Sequence, residues 1–399
     1  MLSISKEIYS KIQTPSKIRE IFEESKEIKR VNGNDGVFDF SLGNPVVDPP
    51  TEFLTALEGI VKEDIMGKYG YINHQGLLET REKVSHYLNV RYDSKVLSKH
   101  IVMTVGAAGA INVSLRSIIN DGDEVILLTP YFLEYDHYVH NCRGIVKYAP
   151  LDRNFDIDLE EIKQVLSPKT RAIVINSPNN PTGKIFSTEK MKALGELLNN
   201  HENEHNSKIY MVYDSPYEQL LYNEKFLNPF QVYHRTIYIG SFSKDFGIAG
   251  ERLGYIATDC KVEDVDLLIS ACVYNNRVLG FVNAPALMQR AISKMDNLIV
   301  NPEPYKKKKE LITSILKEAG YKFLEPDGGI FLFPKSPIED DLKFCRDLAQ
   351  NHNIFVVPGS SFGRKGHFRL SFSTSDSCIL GAAAGFREAY ETFMKESCV

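Results

Sequence analysis

The chain has 399 residues, enough for roughly two to three domains and for a core that needs no disulfide or metal staple. Its 43% apolar and 25% charged residues exclude collagen-like, low-complexity and fully disordered chains, and no stretch approaches about 18 uninterrupted apolar residues, as a membrane-spanning helix would need. The net charge of −5, from 47 basic against 52 acidic side chains, gives no electrostatic ground for nucleic-acid binding.

Residues 1–30 are polar and lean towards helix, with a weak apolar stripe at Ile12, Ile18, Ile21 and Phe22. The opening residues, Met1 to Glu7, include an acid and no apolar leader core, so the cytoplasm is the expected compartment. Gly36 to Pro45 alternates and then breaks at Gly and Pro, which predicts a short strand entering a loop. Strand-like and helix-like patterns then alternate. Strands are predicted over 101–105, 124–128, 144–148, 171–176, 209–214 and 236–240, with helices over 107–119 and 189–199. Near-continuous apolar strands in a βαβ rhythm predict a largely parallel sheet covered on both faces. The last hundred residues differ. A charged run, Lys306 to Glu310, leads a helical pattern through Leu316, and strands are predicted at 329–333, 354–357 and 367–372. The fold class is therefore α/β: a large domain with a mostly parallel, doubly wound sheet, and a smaller α+β domain. The expected boundaries are 1–45 for an N-terminal arm that also forms part of the small domain, 46–295 for the large domain and 296–399 for the rest of the small one. Six cysteines, at 142, 260, 272, 345, 378 and 398, form no C-x-x-C pair. Scattered reduced thiols are expected, and no metal site.

In open parallel sheets, ligands bind outside the carboxyl ends of the strands. Five places there carry polar or glycine-rich chemistry. Ser241-Phe242-Ser243-Lys244 follows a strand. A crowded lysine there can lose its proton and form a Schiff base, and the two hydroxyls with Arg252 suit a phosphate. Asp214 ends another strand, three residues before Tyr217. It suits a protonated ring nitrogen and, on its own, equally a helix cap. Asn176 to Gly183 holds two prolines and a glycine in a tight loop, either a plain turn or a set of amides aimed at a ligand. Gly106-Ala107-Ala108-Gly109 sits between a strand and a helix, where backbone N–H groups can meet a phosphate, although it matches neither G-x-G-x-x-G nor a P-loop. Arg369 lies in a C-terminal strand and offers a two-pronged grip on a carboxylate, or a surface ion pair.

Together these motifs resemble the class I/II aminotransferases of pyridoxal-phosphate fold type I, in that family's order and spacing from about Val37 to Phe386. The resemblance implies pyridoxal 5'-phosphate as cofactor. It implies Lys244 as the Schiff-base lysine and proton carrier, Asp214 at the pyridine nitrogen, and Asn180 and Tyr217 at the ring oxygen. Gly106, Ala107, Ala108, Ser241, Ser243 and Arg252 would lie at the phosphate and Phe132 on the ring face. Arg369, Asn180 and the backbone of Gly43 would hold the substrate α-carboxylate. Tyr71 would reach a phosphate across a homodimer interface, with Tyr69 a close competitor.

The implied activity moves an α-amino group from an L-amino acid, with aspartate, alanine and aromatic donors all open, to a 2-oxo acid such as 2-oxoglutarate. A carbon–sulfur β-lyase or another eliminating enzyme on the same site is the alternative. Some aspartate-preferring relatives carry lysine where this chain has Ala108. A cation for a distal carboxylate must then come from elsewhere, with Arg277, Lys17 and Arg19 as candidates.

Overall fold

The computed structural model of the chain describes residues 3–13, 21, 23–27, 30, 36–223 and 227–396. Lys17, Arg19 and Cys398 lie outside them. The chain divides into two compact units: residues 45–304 with 327–329, and residues 1–44 with 305–326 and 330–399.

The larger unit is built on seven strands: β1 Ile101–Val105, β2 Glu124–Thr129, β3 Ile145–Pro150, β4 Thr170–Asn176, β5 Tyr210–Asp214, β6 Thr236–Ser241 and β7 Leu253–Ala257. Their order across the sheet is β1-β7-β6-β5-β4-β2-β3. The neighbours from β6 to β3 run parallel, whereas β7 is antiparallel to both β1 and β6. The central strands are buried at every residue but Thr129 and Arg171, which is why they read as near-continuous apolar runs.

Strand β7 is absent from the sequence-based expectation. It has five residues and follows directly on Arg252, whose φ of 54° turns the chain sharply into the strand. Gly254 lets it lie against the next element: a methyl there would stand 2.6 Å from the Gly106 carbonyl carbon and 2.9 Å from the Ala107 nitrogen. That element is the helix Gly106–Ile118, which buries Ala110, Ile111, Val113 and Leu115 in one core with Val212, Ile237 and Ile256 of the sheet. The helix Thr188–His205 outlasts its predicted span of 189–199 and stops at Asn206, which takes the left-handed conformation of a helix end. Its start is fixed by the Ser187 hydroxyl, which accepts from the Lys190 N–H.

In the smaller unit the strand Phe368–Ser371 lies between Phe331–Leu332 and Val357–Pro358, antiparallel to both. The apolar run predicted as one strand over 354–357 is two. Ile354–Phe355 pairs in parallel with Phe38–Asp39, while Val357–Pro358 pairs with Phe368 and Arg369. A change of partner at Val356, not a loss of hydrophobicity, divides the run. Helices Asp341–His352 and Ala383–Glu396 cover this unit, and Phe40, Phe344, Phe368 and Phe386 are fully buried in its core. Among the described residues no helix is long and apolar enough to cross a membrane, and no cluster of His, Cys, Asp and Glu could hold a metal ion.

Candidate active site

Parallel neighbours in register bring their carboxyl ends to one edge. Asn176 at the end of β4 is level with Asp214 at the end of β5, and Asp214 is level with Ile239 of β6, two residues before Ser241. The Asn176 side chain donates to the Asp214 carbonyl at 3.0 Å, and its amide oxygen accepts from the Asn180 N–H at 2.7 Å. Ser177 N–H also reaches the Asp214 carbonyl, at 3.3 Å, and the Ser215 hydroxyl donates back to the Ser177 carbonyl at 2.9 Å. The Asn176–Gly183 loop is thus tied to the backbone of Asp214, with Asn180 and Tyr217 both buried.

Asp214 itself is buried. Its Oδ2 accepts from the Tyr135 hydroxyl at 2.5 Å, and Oδ1 has no hydrogen-bond partner among the described residues. Burial pushes its carboxyl up to about 7, with the Tyr135 hydrogen bond pulling the other way. Phe132 meets Tyr135 edge to face, their centroids 5.5 Å apart, and remains only half-buried.

On the other side of the same edge, Gly106 opens its helix with φ +68°, and a methyl there would strike Arg252 Nη2 at 2.6 Å. The Arg252 guanidinium therefore lies against the first turn of that helix, and its Nη1 donates to the Ala249 carbonyl at 2.9 Å. Ala107 and Ala108 in this turn are half-buried. Ser241 and Ser243 are buried, with the Ser241 hydroxyl accepting from Ser243 N–H at 3.1 Å, and Lys244 follows half-buried. A helix N-terminus, an arginine and two hydroxyls form a basic, hydrogen-bonding cradle.

The smaller unit carries a second arrangement. Arg369 is 3% exposed, yet its guanidinium carbon lies 4.5 Å from the Phe331 centroid and 4.9 Å from that of Phe362. One of its nitrogens donates to the Ser41 carbonyl. Gly43 touches the same Phe331 ring, since a methyl on it would stand 2.6 Å from Phe331 Cζ. In the larger unit, Tyr71 is 91% exposed, and Arg277 is exposed with its guanidinium 5.6 Å from the Tyr274 ring centroid.

The model of the family "aminotransferase class I and II" matches residues 35–384. The chain belongs to this family. A probable aspartate aminotransferase of Methanocaldococcus jannaschii is 30% identical over 94% of the chain and 97% of its own length. The aspartate aminotransferase of Thermotoga maritima is 31% identical over 86% of the chain and 87% of its own length. Among solved structures, an aminotransferase from Eubacterium rectale superposes with a TM-score of 0.94 at 30% identity, covering 98% of this chain and all of that one. The Thermus thermophilus aspartate aminotransferase with maleate gives 0.86 at 25% identity, again over 98% and 100%. The protein is a transaminase with the fold of these enzymes.

Two features of this aminotransferase escaped the sequence reading. Tyr135, the partner of Asp214, sits in an ordinary-looking helix, Glu134–Asn141, and only its burial marks it. Glu218, next to Tyr217, is buried and accepts from the hydroxyls of Tyr87, Tyr92 and Tyr238, while Arg91 donates to its backbone carbonyl at 2.6 Å. Burial pushes the Glu218 carboxyl up, with the Arg91 charge opposing it. These groups come from three distant stretches of chain, so no local pattern announces them.

Proposed function

We propose that this transaminase binds pyridoxal 5'-phosphate at the carboxyl edge of the large unit's sheet and moves the α-amino group of an L-amino acid to a 2-oxo acid such as 2-oxoglutarate. The observation that carries the reading is Asp214. A buried carboxyl with one oxygen satisfied and the other without a hydrogen-bond partner among the described residues, pushed to about 7, is suited to a cationic ring nitrogen. The cradle of Gly106, Ala107, Ala108, Ser241, Ser243 and Arg252 suits a phosphate group, because the absence of a side chain at Gly106 lets the Arg252 guanidinium lie against the helix N-terminus.

Bound there, the cofactor supplies an electron sink for negative charge developing at the substrate α-carbon. The chain's own residues do the rest. Asp214 holds the ring nitrogen in its protonated state. Asn180 and Tyr217 donate to the ring oxygen, and Phe132 covers a ring face. Lys244 Nζ holds the cofactor and takes the proton from the substrate α-carbon, for which it must be neutral. Arg369, Asn180 and the Gly43 backbone hold the α-carboxylate. L-aspartate is the first donor to test, because relatives near 30% identity carry that name. A homodimer is part of the reading. It is supported by the exposure of Met66, Tyr69 and Tyr71, at 99%, 67% and 91%, within six residues.

The test begins with purified protein and pyridoxal phosphate. The wild type should turn yellow, and borohydride should fix the cofactor to the peptide bearing Lys244. L-aspartate alone should bleach the visible band, and 2-oxoglutarate should restore it. A colourless wild type, or a Lys244→Ala variant with normal turnover, overturns the assignment.

A further inference from the structure

Asp327, Gly328 and Gly329 belong to the large unit, although the residues before and after them belong to the small one. The three residues are bound there through their backbone. The Gly183 carbonyl accepts from the N–H of both Asp327, at 2.8 Å, and Gly328, at 3.0 Å. Tyr222 N–H donates to the Asp327 carbonyl at 2.9 Å, Gly329 N–H donates to the Leu220 carbonyl at 2.8 Å, and the Tyr222 hydroxyl donates to the Gly329 carbonyl.

The glycines permit this approach. A methyl on Gly328 would stand 2.7 Å from the Leu220 oxygen and 2.8 Å from Pro178 Cγ. On Gly329, whose φ is +75°, a methyl would rest 3.6 Å from Tyr217 Cγ. The strap therefore lies on the Tyr217 side chain and on the loop that carries Asn180.

Its one charged side chain joins both. The Asp327 carboxylate is 4% exposed. Oδ2 pairs with Lys184 Nζ at 2.8 Å and accepts from Ile185 N–H at 3.2 Å, just beyond the Asn180 loop. Oδ1 accepts from the Asn223 amide at 2.6 Å, at the end of the turn that begins with Tyr217. A buried pair of this kind adds little net stability, since desolvation offsets attraction, but removing one partner is costly and its geometry is exacting.

We propose that Asp327 is a positioning residue for the reaction: it fixes the Asn180 loop and the Tyr217 turn relative to one another, and so aligns both side chains on the ring oxygen of the cofactor. The inference rests on the cofactor reading above and adds a residue outside the motifs that suggested it. Hydrogen bonds to an ionised oxygen favour the ionised form. Misaligned donors therefore raise the pH at which the ring system loses its proton.

The experiment follows the pH midpoint of the visible absorbance change in protein loaded with pyridoxal phosphate, alongside thermal unfolding. Asp214, Lys244 and Tyr217 are unchanged in every variant, so the midpoint reports alignment. Asp327→Asn should move the midpoint up by roughly one pH unit, the size expected when a hydrogen bond to a charged group is weakened. Asn223→Ala, which keeps the Lys184 pair, should move it the same way by less, and it decides the matter if Asp327→Asn does not fold. A lower unfolding temperature with an unmoved midpoint in the folded variants overturns the proposal and makes Asp327 a purely structural residue. A wild type that takes up no cofactor overturns the cofactor reading itself, and this proposal with it; a coloured wild type separates the two.

Discussion

The Tyr135 hydroxyl donates to Oδ2 of Asp214 at 2.5 Å, and Oδ1 of the same carboxylate has no hydrogen-bond partner among the described residues. This division fixes the orientation of the acid. One oxygen is held by a helix packed on the sheet, which leaves the second as the atom able to meet a ring nitrogen. Burial outweighs the tyrosine's hydrogen bond and holds the carboxyl near 7, and a cation placed against it would lower that value and favour the ionised acid.

Asp214 should leave a pH signature in cofactor-free protein. Its carboxyl titrates ordinarily near 3.8 and at about 7 in the fold. Between those values the unfolded chain has lost a proton that the folded chain retains, so stability falls as pH rises through the window and levels off above it. The thermal midpoint of cofactor-free wild type should therefore decline from about pH 4 to about pH 7 more steeply than that of Asp214→Asn. Bound cofactor should flatten the decline, because a cation beside the acid lowers its pKa. Equal slopes in wild type and variant count against the assignment.

Tyr135→Phe removes the one hydrogen bond that lowers the Asp214 pKa. The carboxyl should rise further and hold the ring nitrogen less well. Loss of a hydrogen bond to a charged group weakens binding by about 1.5–3 kcal/mol, or roughly ten- to a hundredfold in the cofactor dissociation constant. Equilibrium dialysis against pyridoxal phosphate measures it. An unchanged constant would remove Tyr135 from the site.

The sheet was largely legible because buried parallel strands read as apolar runs; those ending at Asp214 and Ser241 are buried throughout, and the one ending at Asn176 at all but Arg171. Their terminal polar residues were legible as candidates because strand ends are where such sheets bind ligands. Strand β7 was not, since Gly254 interrupts the apolar run of Leu253–Ala257 and the strand runs antiparallel to both β1 and β6, outside the βαβ rhythm. Nor were Tyr135 and Asp327. Both act through contacts across 79 and 142–143 residues of chain, and neither carries a periodic or motif signal.

Arg277 is the described candidate for reading a distal carboxylate. It lies in the last turn of the helix Val265–Val278, exposed, against Tyr274 one turn earlier. An exposed guanidinium resting on an aromatic ring is mobile enough to turn to a ligand at small energetic cost, since such a contact contributes about 0.5–1 kcal/mol. If it serves aspartate, Arg277→Ala should lower kcat/KM for aspartate about tenfold or more and leave alanine unaffected. Equal losses on both donors would remove it from side-chain recognition.

Arg369 makes the opposite demand, because every amino acid shares the α-carboxylate. Its guanidinium lies between the rings of Phe331 and Phe362 and is anchored through one nitrogen to the Ser41 carbonyl. Two rings and this anchor restrain the guanidinium, and a planar fork so restrained suits a two-pronged grip on a carboxylate. Arg369→Ala should therefore raise KM for aspartate, alanine and aromatic donors by a similar factor, roughly ten- to a hundredfold. Arg369→Lys should recover only part of the loss, since an ammonium cannot reproduce the two-pronged grip. Phe362→Leu keeps the charge and removes one ring, so it should raise KM for all donors by a smaller common factor. Steady-state kinetics on three donors separates the outcomes: a loss confined to one donor contradicts a role at the shared carboxylate, whereas a common factor in all three variants, ordered Ala, Lys, Leu, is what a clamped guanidinium requires.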